Sequence, residues 1–150
     1  MNSICAFLFI TASLFLNIAT TPSNSNPLIG QKWRIDGNAF LSINKESYHL
    51  ETLSPKDDFH FGHFVEFEKD GSFTGYYTAP CGMDCFTTIH GTYTFDKQET
   101  VSIRVQQVEQ TGYCSDSQDL SFKNKNKHMG DFKIISSKTK KIQKLTLERT

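Results

Sequence analysis

Residues 67–114 hold the pattern that most restricts what this chain can fold into. Phe67-Glu68-Lys69-Asp70-Gly71-Ser72-Phe73 sets a short polar run, ending in glycine, between two apolar stretches. Glycine accepts the positive φ that a tight reversal demands, so the segment predicts a β-hairpin turn. Downstream, Gly91-Thr92-Tyr93-Thr94-Phe95 and Val101-Ser102-Ile103-Arg104-Val105 alternate apolar with polar side chains, separated by a turn over residues 96–99. A period of two sends one set of side chains to each face of a strand, with Tyr93 and Phe95 inward. Cys85 precedes the first of these strands and Cys114 follows the second, so a covalent clamp can span them.

The alternation extends in both directions. Phe59, Phe61, His63, Val65 and Phe67 alternate with more polar neighbours, Phe64 being the exception on the polar face. Residues 72–78 return as the partner strand, with Phe73, Gly75 and Tyr77 on one face. Pro80 and Gly82 take residues 80–84 out of the sheet, because proline has no ladder donor. Phe132 with Ile134, and Leu145 with Leu147, supply two late strands, and residues 33–35, 39–43 and 47–53 are shorter candidates. Residues 115–129 lack apolar periodicity and read as a long loop or a poor helix. Short strands at intervals of roughly 8–12 residues predict an all-β or β-rich α+β fold, a compact antiparallel barrel or sandwich in one domain.

The first 21 residues are expected to lie outside that domain. Residues 4–18 form an uncharged apolar run, and Lys32 is the first charged side chain. The run is shorter than the roughly 20 residues a spanning helix needs and suits the apolar core of a signal peptide. Residues 1–21 are therefore read as a signal peptide, 22–27 as an unstructured lead-in, and 28–150 as the folded domain, exported to the cell envelope, periplasm or exterior. Three of the four cysteines then remain: Cys81, Cys85 and Cys114. In an oxidising compartment two pair and one is left over, as Cys85–Cys114 or Cys81–Cys114. A Cys85–Cys114 bond closes a loop of about 30 residues and contributes roughly 3.5 kcal/mol on a chain-entropy account.

Several of these segments together resemble the META-domain family of small bacterial secreted and envelope proteins. The residues that carry the likeness are Gly30-Gln31-Lys32-Trp33, then Phe67 to Gly71, then Asp84-Cys85 with Gly91-Thr92-Tyr93. Thr111-Gly112-Tyr113-Cys114 and Leu145-Thr146-Leu147 complete it, while Asp84 and Phe86 replace the Gly and Asn of that family's pattern. Lipocalin-like calycins share the early Gly and Trp and an up-and-down β topology. Either likeness implies a compact β domain with no fixed enzymatic activity, and the META likeness adds an association with envelope stress.

Charge and chemistry narrow the function classes. Sixteen basic and sixteen acidic residues cancel, so no overall field favours nucleic acid, and the late lysines read as a solvated rim. His60, His63, Cys81, Cys85 and His90 are residue types that zinc prefers. On a strand, positions 60 and 63 face opposite ways, so no metal or other cofactor is expected. No arrangement around Cys81 and His90 matches a known cysteine-enzyme signature. The acid pairs Asp57/Asp58, Glu66/Glu68 and Asp116/Asp119 read as solvated edges. Aromatic content leaves most room for binding: thirteen Phe, five Tyr and one Trp exceed what a core this small requires. Tyr77, Phe86, Phe95 and Tyr113 are the candidate contacts for a small apolar ligand or a protein partner, in a monomeric, non-enzymatic domain. The alternatives are a structural or interaction module without a pocket, and a small metal-binding or hydrolytic protein.

Overall fold

The computed structural model describes residues 25–42, 44–54, 61–96, 98–114, 126–139 and 142–150. The segments read above as leader and lead-in lie almost wholly outside these residues, as do Phe59, His60 and Asp57/Asp58. Eight strands form one closed antiparallel ring: β1 (Lys32–Ile35), β2 (Ser47–Thr52), β3 (Gly62–Phe67), β4 (Ser72–Thr78), β5 (Cys85–Phe95), β6 (Thr100–Gly112), β7 (Lys127–Lys138) and β8 (Gln143–Arg149). From β3 to β8 the strands pair in sequence order; β2 and β3 are separated by β1, and β8 closes the ring on β2.

The period-two pattern explains the wall. In β6 Val101, Ile103 and Val105 are buried inward, and the next inward side chain is Val108 rather than residue 107. The register supplies the reason: Gly91 faces Val105 and His90 faces Gln107, leaving Gln106 as the extra residue of a β-bulge. A second bulge, at Met129, turns that side chain inward beside Gly130 and Phe132. Gly91 faces the bore, and only glycine fits there because a Cβ would collide with the Phe73 ring and the Arg104 carbonyl.

Eight strands enclose a bore just wide enough to be filled by side chains or to hold one small ligand. Here side chains fill it. Trp33, Tyr48, Phe40, Phe67, Phe73 and Phe132 are almost wholly buried, and their rings meet edge to face at 4.8–6.3 Å for Phe40 with Tyr48, Phe67 and Phe73. Such pairs add about 0.5–1.5 kcal/mol each beyond their area burial. Phe64 points outward yet is fully buried, beside Tyr76 and under the Lys32 ammonium at 4.5 Å. That packing accounts for the break in the polar face of β3.

One end of the barrel is sealed by the segment just before β1 and by tight turns. Trp33 Nε1 donates to the Leu28 carbonyl at 2.9 Å, and both residues are fully buried. The β3–β4 turn forms at the expected glycine, with φ +85° at Gly71 and Asp70 Oδ1 accepting from the Ser72 amide and hydroxyl. The β5–β6 turn repeats this geometry with Glu99 at φ +60°.

Two expectations are corrected. Residues 39–42 are not a strand: Ala39 and Phe40 turn at φ +40° and +68°, and both are buried in the bore. β7 begins at Lys127, earlier than the apolar pattern showed, because the Met129 bulge and Gly130 interrupt the alternation. Residues 115–125 lie outside the described residues.

Candidate functional site

The opposite end of the barrel, its mouth, gathers the starts of β3 and β5, the ends of β4 and β6, and segment 36–42. Cys85 bonds to Cys114, with Cα atoms 4.5 Å apart, and Cys81 is free and exposed. The bond pins the start of β5 to the chain just beyond β6. Gly112 permits this close approach: its φ is +88°, and a Cβ would strike the Asp84 carbonyl. The Tyr113 amide donates to that same carbonyl at 3.3 Å. The turn centred on Gly82–Met83 follows Pro80, as the two helix- and strand-breaking residues dictate.

Inside the rim lies a cavity of about 190 Å³. Asn38, Ala39 and Leu41 line it from segment 36–42, and His63, Tyr77, Thr87 and Ile89 line it from the walls. The rings of His63 and Tyr77 are 4.7 Å apart and tilted by 33°. Burial holds the His63 pKa below its ordinary value, so the ring is neutral at pH 7. Thr87 brings a buried hydroxyl, and Gln110 Nε2 lies 3.5 Å from the Cys85 sulfur. The cavity therefore combines an apolar floor with a neutral polar collar.

Segment 36–42 closes the mouth from above. Ala39 rests over Gly75, whose missing Cβ would otherwise lie 3.4 Å from Ala39 Cβ, and Phe40 descends into the bore. Two successive non-glycine residues at positive φ cost of order 1–3 kcal/mol each, so this segment is held in place by its surroundings. Lys45 Nζ pairs with Asp36 Oδ2 at 2.9 Å and lies 4.8 Å over the Tyr48 ring. The Tyr48 hydroxyl donates to the Ser42 carbonyl at 2.9 Å, and burial raises its pKa to about 12. Arg149 Nε donates to the Lys45 carbonyl at 3.2 Å.

Of the four candidate contacts read from sequence, three lie at this end. Tyr77 lines the cavity, Phe86 is 6.3 Å from the Tyr77 ring, and Tyr113 stands exposed beside the disulfide. Phe95 is at the sealed end, packed against the core. Eight residues along β5 separate it from Thr87, which is about 26 Å of strand. Asn38 and Leu41 had no sequence signal as lining residues, because a loop that enters its own barrel has no local signature, whereas the alternation of β3 already sets His63 on one face with Val65 and Phe67.

Two other clusters sit on the outer wall. A groove of about 380 Å³ crosses β1, β2 and β8, where Arg34 and Lys144 each approach Glu51 at 3.7 Å and His49 Nδ1 meets Thr146 Oγ1 at 3.3 Å. The second cluster brings together Ser102, His128 and Asp131. Both Ser102 Oγ and Asp131 Oδ1 lie 3.1 Å from the same nitrogen, His128 Nε2. A serine-histidine-acid relay needs the acid on Nδ1 and the hydroxyl on Nε2, so this arrangement cannot pass a proton from serine toward the acid. Ser102 and His128 hold the Asp131 carboxyl below the usual carboxylate range. Glu66 accepts the Tyr76 hydroxyl at 2.6 Å, which occupies one of the acids noted in the sequence. Among the described residues no group of three His, Cys, Asp or Glu side chains converges to hold a metal, and no helix is long and apolar enough to cross a membrane. No protein-family model, curated protein or solved structure matches this chain.

Proposed function

We propose that this chain is an exported, non-enzymatic, monomeric domain that binds a small apolar ligand or an apolar side chain of a protein partner at its mouth. One observation carries this reading. Of the four large exposed hydrophobic side chains among the described residues, Phe61, Met83 and Tyr113 all surround the mouth, with Met83 and Tyr113 71% and 76% exposed. Exposed apolar side chains gathered at one place mark interaction sites, whereas scattered ones do not. The Cys85–Cys114 bond and the apolar run at residues 4–18 support export to an oxidising compartment. The resemblance to META domains is the basis for assigning that compartment to a bacterial envelope and the role to envelope stress. The neutral charge balance supports a partner other than nucleic acid.

The filled bore favours a second reading, a module that engages a protein through its rim alone. A titration of ¹⁵N-labelled protein with p-cresol, a small ring with one hydroxyl, decides where binding occurs. Shifts centred on His63, Tyr77, Thr87 and Tyr113 are expected. Shifts centred on Ile135, or on the groove of Arg34, Glu51 and Lys144, would overturn the assignment to the mouth.

A further inference from the structure

Among the described residues, the large rings of the bore come from strands, with one exception: Phe40 enters from a loop. We propose that Phe40 is a displaceable plug, and that the space its ring fills is the binding site of a single-ring aromatic ligand carrying one polar group. This rests on reading the mouth as a binding site and adds the ligand class and the gate.

Four observations support it. Ala39 and Phe40 occupy consecutive left-handed conformations, which neither residue prefers, so withdrawal of the segment relieves strain that a strand-borne ring does not carry. The ring makes edge-to-face contacts with Tyr48, Phe67 and Phe73, and a free aromatic ring in the same place makes the same contacts. The 190 Å³ cavity already adjoins the plug, and its collar of Asn38, His63, Tyr77 and Thr87 suits one hydroxyl or similar group at the outer end of that ligand. Long chains are excluded, because Trp33 and Leu28 seal the far end completely. The Phe40 ring sits among aromatic side chains, and an apolar space of that kind, once vacated, accepts benzene-sized guests.

Lys45 is the side chain that clips the segment from outside: it holds Asp36 through its carboxylate and, at 3.3 Å, its carbonyl, and lies over the Tyr48 ring, while the Tyr48 hydroxyl holds Ser42. Removing the Lys45 side chain raises the fraction of molecules with the plug out, and apparent affinity scales with that fraction.

The test titrates the intact protein and its Lys45→Ala variant with p-cresol, by calorimetry and by NMR. The expected result is saturable binding that shifts Ala39, Tyr48, Phe67 and Phe73, with Lys45→Ala binding about threefold to fivefold tighter. Phe40→Ala, where it folds, binds tighter than the wild type and melts higher when p-cresol is added. Equal affinity in wild type and Lys45→Ala, with shifts confined to His63, Tyr77 and Thr87, overturns the plug and leaves the mouth as a binding site. Absence of saturable binding by both proteins overturns the plug and the small-ligand reading together.

Discussion

At the sealed end of the barrel, the tight turns are closed by neighbours in sequence, and the strand residues Trp33 and Tyr93 tie those turns and the segment before β1 to the core. Asp70 bonds to Ser72, Asp96 bonds to Gln98 and Thr100, and Trp33 bonds to Leu28. At the mouth, closure depends on partners distant in sequence: a disulfide across 29 positions, Arg149 on Lys45, and Ala39 lodged over Gly75. Turns tied to buried strand residues open only with the whole domain, whereas a loop-borne closure can be released separately, which is what a binding site requires.

Core truncations test this contrast most strongly. Phe67→Ala, at the sealed end and against Tyr93 at 5.0 Å, is expected to cost about 3–5 kcal/mol in chemical denaturation. Phe40→Ala should cost no more than about half that, since the strained segment can withdraw rather than span a cavity. Equal losses would erase the distinction between the ends. Replacing Cys85 and Cys114 together by serine is expected to lower stability by about 3.5 kcal/mol, and to broaden NMR signals at the mouth before those of the β3–β4 turn.

Smaller effects belong to the sealed end. Gly71→Val should cost about 1 kcal/mol or more, since φ is +85° and the added Cβ would lie 3.2 Å from the Tyr93 carbonyl. Glu99→Gly, at φ +60° in the equivalent turn, should raise stability by about 1 kcal/mol. An unchanged melting temperature in both variants would show that these turns do not hold the end shut.

Acid separates the ends as well. His63 has its pKa lowered by burial, so the folded state binds fewer protons than the unfolded one just below pH 6.5. Its contribution is present above that pH and is lost as pH falls, and His63→Gln should flatten the decline between about pH 7 and 5. Asp70 is held below 3.8 by the Ser72 hydroxyl and amide, so its contribution is lost only in stronger acid. A decline that is identical in the His63→Gln protein would remove His63 from the account.

The contrast also explains what could be read from the chain. Alternation located β3, β4, the second half of β5 and the first half of β6, while residues 85–90 of β5 went unread, and Asp70-Gly71 and Asp96 marked the turns, because those signals act over two to five residues. The spacing of cysteines left two pairings open; the register that sets Cys85 against Gly112 favours Cys114 and leaves Cys81 on the outer loop. The lining of the mouth was the least legible part. Residues 39–43 have the apolar content of a strand, and only the folded wall, with Gly75 vacant beneath Ala39, makes a buried plug of Ala39 and Phe40. Phe95 could not be assigned to an end for the related reason that aromatic content does not say which end of a long strand a ring occupies.

Two amides report on the central claim directly. The Leu41 amide donates to the Asn38 carbonyl at 2.9 Å within the plug, and the Tyr93 amide donates to the Gly71 carbonyl at 2.7 Å at the sealed end. Native-state hydrogen exchange at low denaturant should show Leu41 exchanging through a local opening that is insensitive to denaturant, and Tyr93 exchanging only with global unfolding. Equal protection at both amides, with the same denaturant dependence, would contradict the account.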